Sequence, residues 1–324
     1  MKRLQLRTDL YSPLNDAFGE RLQTGVILAR YTAARLGGAA DAFVEVQSID
    51  DLVKAVKICW EHEIPFVILG GGSNVLVSDR GVCGLVILNK AKRIRFDEIS
   101  QIPTVWTESG ANLGLVSRQA AHRGLSGLEW AAAIPGTIGG AVVGNAGAHG
   151  ENMAGNLILA EILHREYTDA GDIYRCEEWP VENFSYTYRS SILKQQPGRV
   201  VVLTALLKLQ TGNSGLILEK MDELAAYRKR TQPPGASMGS MFKNPPGDYA
   251  GRLIEAAGLK GSRQGNVQIS TVHANFFVND GRARAADVYK LIKKAQAAVL
   301  EQFGVEMELE IELIGDWHQA GLDE

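Results

Sequence analysis

The chain holds 324 residues, with hydrophobic side chains at 45% and charged ones at 22%, which excludes a disordered or fibrous polymer and allows a large core over two or three domains. Its 34 basic and 37 acidic residues leave a net charge of −3, without the basic excess of a dedicated nucleic-acid binder, so no nucleic-acid partner is expected. No run of about 18 apolar residues marks a membrane span, the basic Met1–Arg7 stretch has no apolar run behind it to make a secretory signal, and Cys59, Cys83 and Cys176 stand far apart with no CxxC pattern, which points to a reducing compartment rather than to a disulfide framework or zinc knuckle.

Residues 1–29 read as an N-terminal extension with weak periodicity. The alternation Phe43-Val44-Glu45-Val46 predicts a strand over 42–46, and Ser48 is placed to cap a helix over about 49–62, with Asp50 and Asp51 in its first turn. Leu52, Val53, Val56, Cys59 and Trp60 mark the apolar face of that helix, and Pro65 ends it. Phe66–Leu69 then reads as a buried strand running straight into Gly70-Gly71-Gly72-Ser73-Asn74, and Leu85–Leu88 as another strand. Residues 30–93 therefore form a small α/β unit. Strands are predicted at 104–108 and 200–209, a helix near 112–122, and a turn around Gln195–Gly198. A helix runs from Asn213 or Ser214 to about Lys229. Gln232-Pro233-Pro234-Gly235 breaks the chain, so 94–229 is taken as a second unit and 230–315 as the last domain, with 316–324, including His318, as a tail. That last domain is expected to hold a helix near 248–257, a strand over Ala274–Asn279 and a long helix over about 285–303. It ends on a strand of strict period 2, Glu306–Leu313, with apolar side chains on one face and four glutamates on the other.

Glycine is the compositional outlier: 35 residues against a usual share of about 7%, gathered in clusters. A buried strand ending in three glycines and Ser-Asn presents successive backbone N–H groups with no Cβ in the way, which suits a phosphate or pyrophosphate. Neither GxxxxGK[ST] nor GxGxxG is present, so neither a P-loop nor the dinucleotide fingerprint applies, and the triplet reads equally well as a flexible turn. The second cluster runs from Ile134-Pro135-Gly136-Thr137-Ile138-Gly139-Gly140 to Gly144, Gly147 and Gly150. It permits a backbone to lie flat on a ring or phosphate, or simply to pack tightly. Two such clusters on one chain point to a large, phosphate-bearing cofactor.

Three further segments hold chemistry-bearing side chains. In Phe184-Ser185-Tyr186-Thr187-Tyr188-Arg189 the arginine is suited to clamp a carboxylate, though an arginine there more commonly serves an ion pair. In Gly239-Ser240-Met241-Phe242-Lys243-Asn244 the serine can give a proton or act as a nucleophile, or sit in an ordinary turn, and no GxSxG elbow is present. His273 reads as structural, and His62, His122, His149 and His164 lack the HxxxH or HExxH spacing of a zinc site, so no metal is expected. The four terminal glutamates are most simply a solvated face.

Taken together, five segments resemble the UDP-N-acetylenolpyruvoylglucosamine reductase (UDP-N-acetylmuramate dehydrogenase) family over about 30–315. They are Thr32–Asp41, Ile68–Val77, Ala133–Gly140, Gly239–Pro245 and Asp248–Gly261. The resemblance implies an α+β chain: a two-subdomain FAD-binding fold of the PCMH, or vanillyl-alcohol-oxidase-like, type, followed by a C-terminal α+β substrate-binding domain. It implies NADPH-dependent, FAD-mediated reduction of UDP-N-acetylglucosamine enolpyruvate to UDP-N-acetylmuramate in peptidoglycan precursor synthesis, by a cytoplasmic, monomeric enzyme whose partner is a nucleotide-sugar. Non-covalent FAD would be held by Gly70, Gly71, Gly72, Ser73 and Asn74 together with Ile134, Pro135, Gly136, Thr137, Gly139 and Gly140. Arg189, Ser240 and Glu310 match the catalytic positions, while Tyr188, Lys243 and Asn244 match substrate contacts. Tyr31-Thr32 replaces a common Asn-Thr, Ala148-His149-Gly150 replaces Gly-Ala-Tyr-Gly, and Leu309 stands for a common proline. No tyrosine-bearing insertion is visible, which matches the subgroup without it. Two other readings stay open: another oxidase of the same fold with covalent flavin, for which Gly70–Asn74 offers no anchoring histidine, and a non-catalytic nucleotide-sugar-binding protein, against which Arg189, Ser240 and Glu310 all stand.

Overall fold

The computed structural model describes residues 11–168 and 171–317, so the first ten residues and the tail with His318 lie outside the described residues. Backbone packing gathers the chain into two units, neither of which is a continuous stretch of sequence. One holds residues up to Thr24, Ala42–Gly70 and Gly84–Ala226; the other holds Gly25–Asp41, Gly71–Cys83 and the chain from Tyr227 onward.

In the first unit the capped helix forms as its sequence requires. The Ser48 hydroxyl accepts from the Asp51 N–H at 3.2 Å, the helix runs Ile49–Glu61, and Leu52, Val56, Cys59 and Trp60 are buried on its inner face. The chain reverses through Glu63 and returns as the strand Phe66–Leu69, paired in parallel with Val82–Asn89. These strands close a four-stranded sheet in the order Gln23–Ile27, Ala39–Val46, Val82–Asn89, Phe66–Leu69. Tyr11, Leu14 and Phe18, on and beside the helix Ser12–Phe18, join the core beneath it, so the described part of the N-terminal stretch carries structure. Seven residues are too few to show a helical period, which accounts for its weak signal in the sequence.

The same unit contains a five-stranded antiparallel sheet in the order Gly171–Pro180, Leu157–Thr168, Val200–Lys208, Thr104–Glu108, Ile94–Asp97. The hairpin over 157–180 was not expected. Its first strand is nearly continuously apolar at its start rather than alternating: it is paired along both edges, and Ala160 and Ile162 pack into one core while Leu163 packs into another. Asn112 caps the helix Leu113–His122 by accepting from the Leu115 N–H at 2.9 Å, and a short helix, Ile138–Gly144, follows the second glycine cluster.

The second unit is organised by the helix Ala285–Phe303, which buries Val288, Leu291, Ile292, Ala295 and Val299. They pack with Leu253 and Ile254 of the helix Ala250–Ala256, with Phe242 and Phe277, and with Ala34, Leu36 and Leu76 from far earlier in the chain. The expected strand at 274–279 is shorter, Phe277–Asn279. The expected strand over 306–313 is regular only as Glu312–Ile314, paired in parallel with Val75–Val77. Upstream of that the chain makes only an isolated bridge, Phe242 to Leu309. The alternation survives in burial: Met307 and Ile311 are buried, and Glu306, Glu308 and Glu312 are exposed.

Candidate active site

The first unit brings Gly70, the first residue of the first glycine cluster, against the second cluster. Gly70 ends its strand against Thr137, and a Cβ there would collide with the Thr137 hydroxyl. The loop at 136–139 is itself paired with 109–113: the Ile138 N–H donates to Ala111 O at 2.9 Å, the Gly139 N–H to Ser109 O at 2.8 Å, and the Leu113 N–H to Gly136 O at 3.1 Å. Gly70 and Thr137 thus form one wall, and Pro135 and Gly140 on it are exposed. A side-chain-free wall of this kind fits a flat ring or a pyrophosphate, which need close backbone approach.

The far end of the helix Ile138–Gly144 that leaves this loop is bonded to the turn that bears Arg189. Tyr188 and Arg189 are the middle residues of a tight turn closed by Thr187 N–H to Ser190 O (3.1 Å) and Ser190 N–H to Thr187 O (3.2 Å). The turn is tied to the helix by the Tyr186 hydroxyl donating to Val142 O at 2.9 Å, the Ser191 hydroxyl to Val143 O at 2.6 Å, and the Asn145 amide to Thr187 O at 3.0 Å. Arg189 sits at φ 57, a left-handed conformation that costs a non-glycine residue about 1 kcal/mol and that tends to occur where function needs it. Its guanidinium lies 5.7 Å from the Tyr188 ring centroid. Tyr188 itself is exposed. Burial pushes the Tyr186 hydroxyl well above the ordinary phenol range, so it stays a neutral donor.

The second unit brings Ser240 and Glu310 together. The segment carrying Ser240 bridges to Phe276, and the segment's next residues pair with the last stretch of chain: Glu310 N–H donates to Met241 O at 3.0 Å and Lys243 N–H to Glu308 O at 2.9 Å. Asn74 joins the same cluster. Its side-chain amide donates to Glu310 O at 3.0 Å, and its carbonyl accepts from the Glu312 N–H at 2.9 Å. The Gly71–Asn74 stretch is therefore fastened beside the glutamate. Gly72, at φ 59, accepts from the Ala33 N–H at 2.9 Å, and a Cβ there would strike the Tyr31 carbonyl. Ser240 and Glu310 are both half-buried. Lys243 Nζ pairs with Glu308 at 3.0 Å. The exposed Asn244 accepts from the Ala250 N–H at 3.1 Å, which fixes the start of the helix Ala250–Ala256.

Of the sequence-predicted residues, the glycines divide between the units: Gly70 and the 134–140 loop belong to the first, Gly71–Asn74 to the second. Arg189 and Tyr188 belong to the first, and Ser240, Lys243, Asn244 and Glu310 to the second. Two asparagines escaped the sequence reading. Asn145 holds the Arg189 turn. Asn275 is buried and clamps both main-chain groups of Phe242, accepting from its N–H at 2.9 Å and donating to its carbonyl at 2.8 Å. Each lies in a segment that drew notice, but nothing in a sequence shows which backbone an amide will reach.

Residues 230–314 match the C-terminal domain family of UDP-N-acetylenolpyruvoylglucosamine reductase, and 40–173 match the FAD-binding domain family. The chain is 41% identical over 290 residues to the UDP-N-acetylenolpyruvoylglucosamine reductase of Chloroflexus aurantiacus, covering 89% of this chain and 95% of the relative. It is 44% identical over 289 residues to that of Rubrobacter xylanophilus, with 89% and 94% covered. The crystal structure of the enzyme from Thermus caldophilus superposes with a TM-score of 0.73 at 37% identity, covering 91% of this chain and 99% of that one. The mixed helix and strand architecture is accordingly an α+β, FAD-binding fold with a C-terminal domain of its own family type. On that identity and coverage, the chain belongs to the UDP-N-acetylenolpyruvoylglucosamine reductase family.

Proposed function

We propose that this chain reduces UDP-N-acetylglucosamine enolpyruvate to UDP-N-acetylmuramate with FAD and NADPH. The reading assigns Gly70–Asn74 and Ile134, Pro135, Gly136, Thr137, Gly139 and Gly140 to the cofactor, and Tyr188, Lys243 and Asn244 to the nucleotide-sugar. When bound, FAD supplies to the terminal carbon of the enolpyruvyl double bond a hydride that originates in NADPH. The protein's own groups do the rest. Arg189 takes the substrate carboxylate and, as a fixed cation in a strained turn, neutralises the enolate charge that builds there. Ser240 gives its hydroxyl proton to the carbon that bears the carboxylate, completing addition of hydride and proton across the double bond, and regains a proton from solvent. Glu310, fastened beside the Ser240 segment, acts on the enolic carboxylate and its protonation.

The observation that carries the reading is the backbone pairing that sets Glu310 beside Met241, the residue after Ser240, with Asn74 bonded to the same glutamate. In the same reading the enzyme is monomeric, cytoplasmic and of the subgroup without the tyrosine-bearing insertion. Cys59, Cys83 and Cys176 form no disulfide, which fits a reducing compartment, and among the described residues no helix is long and apolar enough to cross a membrane. The test separates the half-reactions. In stopped flow, Ser240→Ala is expected to be reduced by NADPH at close to the native rate while its reoxidation by the enolpyruvyl nucleotide slows by about 10²–10⁴-fold. Equal slowing of both halves removes Ser240 as the proton donor, and a colourless purified protein removes the flavin reading altogether.

A further inference from the structure

Asn145 ends the helix Ile138–Gly144 in the left-handed conformation, φ 44 and ψ 56, and is 6% exposed. Its side chain makes two bonds in opposite directions. Oδ1 accepts from the Ala154 N–H at 3.0 Å, and Nδ2 donates to Thr187 O at 3.0 Å. Only this placement of amide oxygen and nitrogen serves both partners, since one is a donor and the other an acceptor. Thr187 is the first residue of the turn that holds Tyr188 and Arg189, and its carbonyl already accepts from the Ser190 N–H. The bonds from Tyr186 and Ser191 reach the helix from either side of the turn. The Asn145 bond runs from the helix end into the turn itself.

Resting on the reading that Arg189 takes the substrate carboxylate, we propose that Asn145 is a positioning residue: its amide transmits the placement of the Gly136–Gly140 loop, through the short helix, to the Tyr188–Arg189 turn, and holds that turn in its carboxylate-binding form. The helix carries no titratable side chain. Those of the segments packed around it are Tyr186, Tyr188 and Arg189 on the turn side, His149 and Glu151 before Ala154, Lys194 on Ile192–Gln195, Glu108 on Thr104–Glu108 and Lys208 on Val200–Lys208.

Asn145→Asp tests the coupling. The introduced carboxylate keeps the shape, the left-handed cap and the acceptor for Ala154, but sets an anionic oxygen against Thr187 O. Protonation restores a donor there, and an acceptor neighbour raises the pH at which that happens. At about pH 8 the variant is expected to hold FAD and to be reduced by NADPH like the native protein. Its reoxidation by the enolpyruvyl nucleotide is expected to slow by at least about tenfold. The nucleotide's Kd, measured by calorimetry without NADPH, is expected to weaken in step. Both defects, taken as ratios to native so that the other titrating groups cancel, are expected to shrink toward about pH 5.5. Asn145→Gly keeps the left-handed cap and removes both bonds. It is expected to show the same split without recovery at low pH, and it stands in if the first variant does not fold. Native reoxidation at both pH values, slowing of both half-reactions alike, or a defect indifferent to pH overturns the proposal. Arg189→Lys separates the two levels: if it reoxidises at the native rate, the carboxylate reading fails, whereas slow Arg189→Lys beside native-like Asn145→Asp removes the coupling alone.

Discussion

Of the four glutamates that alternate along 306–312, three are exposed and Glu310 is half-buried, with its carbonyl held by Asn74 and its N–H by Met241. Period 2 places all four on one face but is blind to what that face meets along its length. The prediction is therefore asymmetric. Glu310→Gln is expected to slow substrate reduction by about tenfold or more, whereas Glu306→Gln changes an exposed side chain and is expected to stay within about twofold. Steady-state kcat for both variants checks this. His273 gives a second residue-scale outcome. Burial lowers its pKa; a backbone hydrogen bond at the same residue opposes this in part, Lys260 adds a smaller lowering and Glu255 a still smaller rise. Its Nδ1 accepts from the Asn275 N–H at 3.2 Å, a bond that a protonated ring cannot make. The unfolded chain takes up a proton near pH 6.5 and the folded one resists, so stability is full above that pH and falls as the solution is acidified through and below it. Thermal melts between about pH 7.5 and 5.5 are expected to drop in the native protein and to flatten in His273→Gln.

The long helix Ala285–Phe303 was legible to the residue, because six apolar side chains at helical spacing fix both its length and its inner face. Its cap was not. Asp79 accepts from the Ala285 N–H through one carboxylate oxygen and from the Ala286 N–H through the other, each at 2.9 Å, across more than two hundred residues of sequence. An anion bonded to the orphan amides of a first turn adds capping and dipole terms together. Asp79→Ala is expected to cost about 1 kcal/mol and to speed amide exchange at 285–288, while exchange in the Ile49–Glu61 helix, capped by its own Ser48, stays native. Uniform acceleration across both helices would assign the loss to global stability instead. Local caps such as Ser48 and Asn112 can be read in advance because donor and acceptor are three residues apart. The hairpin over 157–180 was missed for a related reason: its register is written in pairings with another strand, and its own residues mix apolar runs with charge.

At the scale of the whole chain, Gln232-Pro233-Pro234-Gly235 reads as a boundary because it breaks the chain, yet the C-terminal unit takes in the chain from Tyr227 and recruits Gly25–Asp41 and Gly71–Cys83. A linear reading divides a chain at its punctuation. It cannot see that Glu312–Ile314 will pair in parallel with Val75–Val77, or that Leu76 will be fully buried among residues of the last helix. The motifs themselves, from Gly70–Asn74 to Gly239–Pro245, were legible because they are short and contiguous; their assembly was not. This interleaving has a consequence for truncation. A fragment 227–324 keeps the helix Ala285–Phe303 but loses Ala34, Leu36 and Leu76, which are 1%, 3% and 0% exposed, and it leaves the edge at Glu312–Ile314 unpaired. Removing one fully buried leucine side chain alone costs about 2–5 kcal/mol, comparable with the whole stability of a small domain at about 5–15 kcal/mol, and an unpaired apolar edge invites association. The fragment is therefore expected to show no cooperative thermal transition by circular dichroism and poorly dispersed amide resonances. Joining it to 25–41 and 71–83 through flexible linkers is expected to restore both. A sharp melt and dispersed spectrum from the bare fragment would mean that the early segments decorate this unit instead of completing its core.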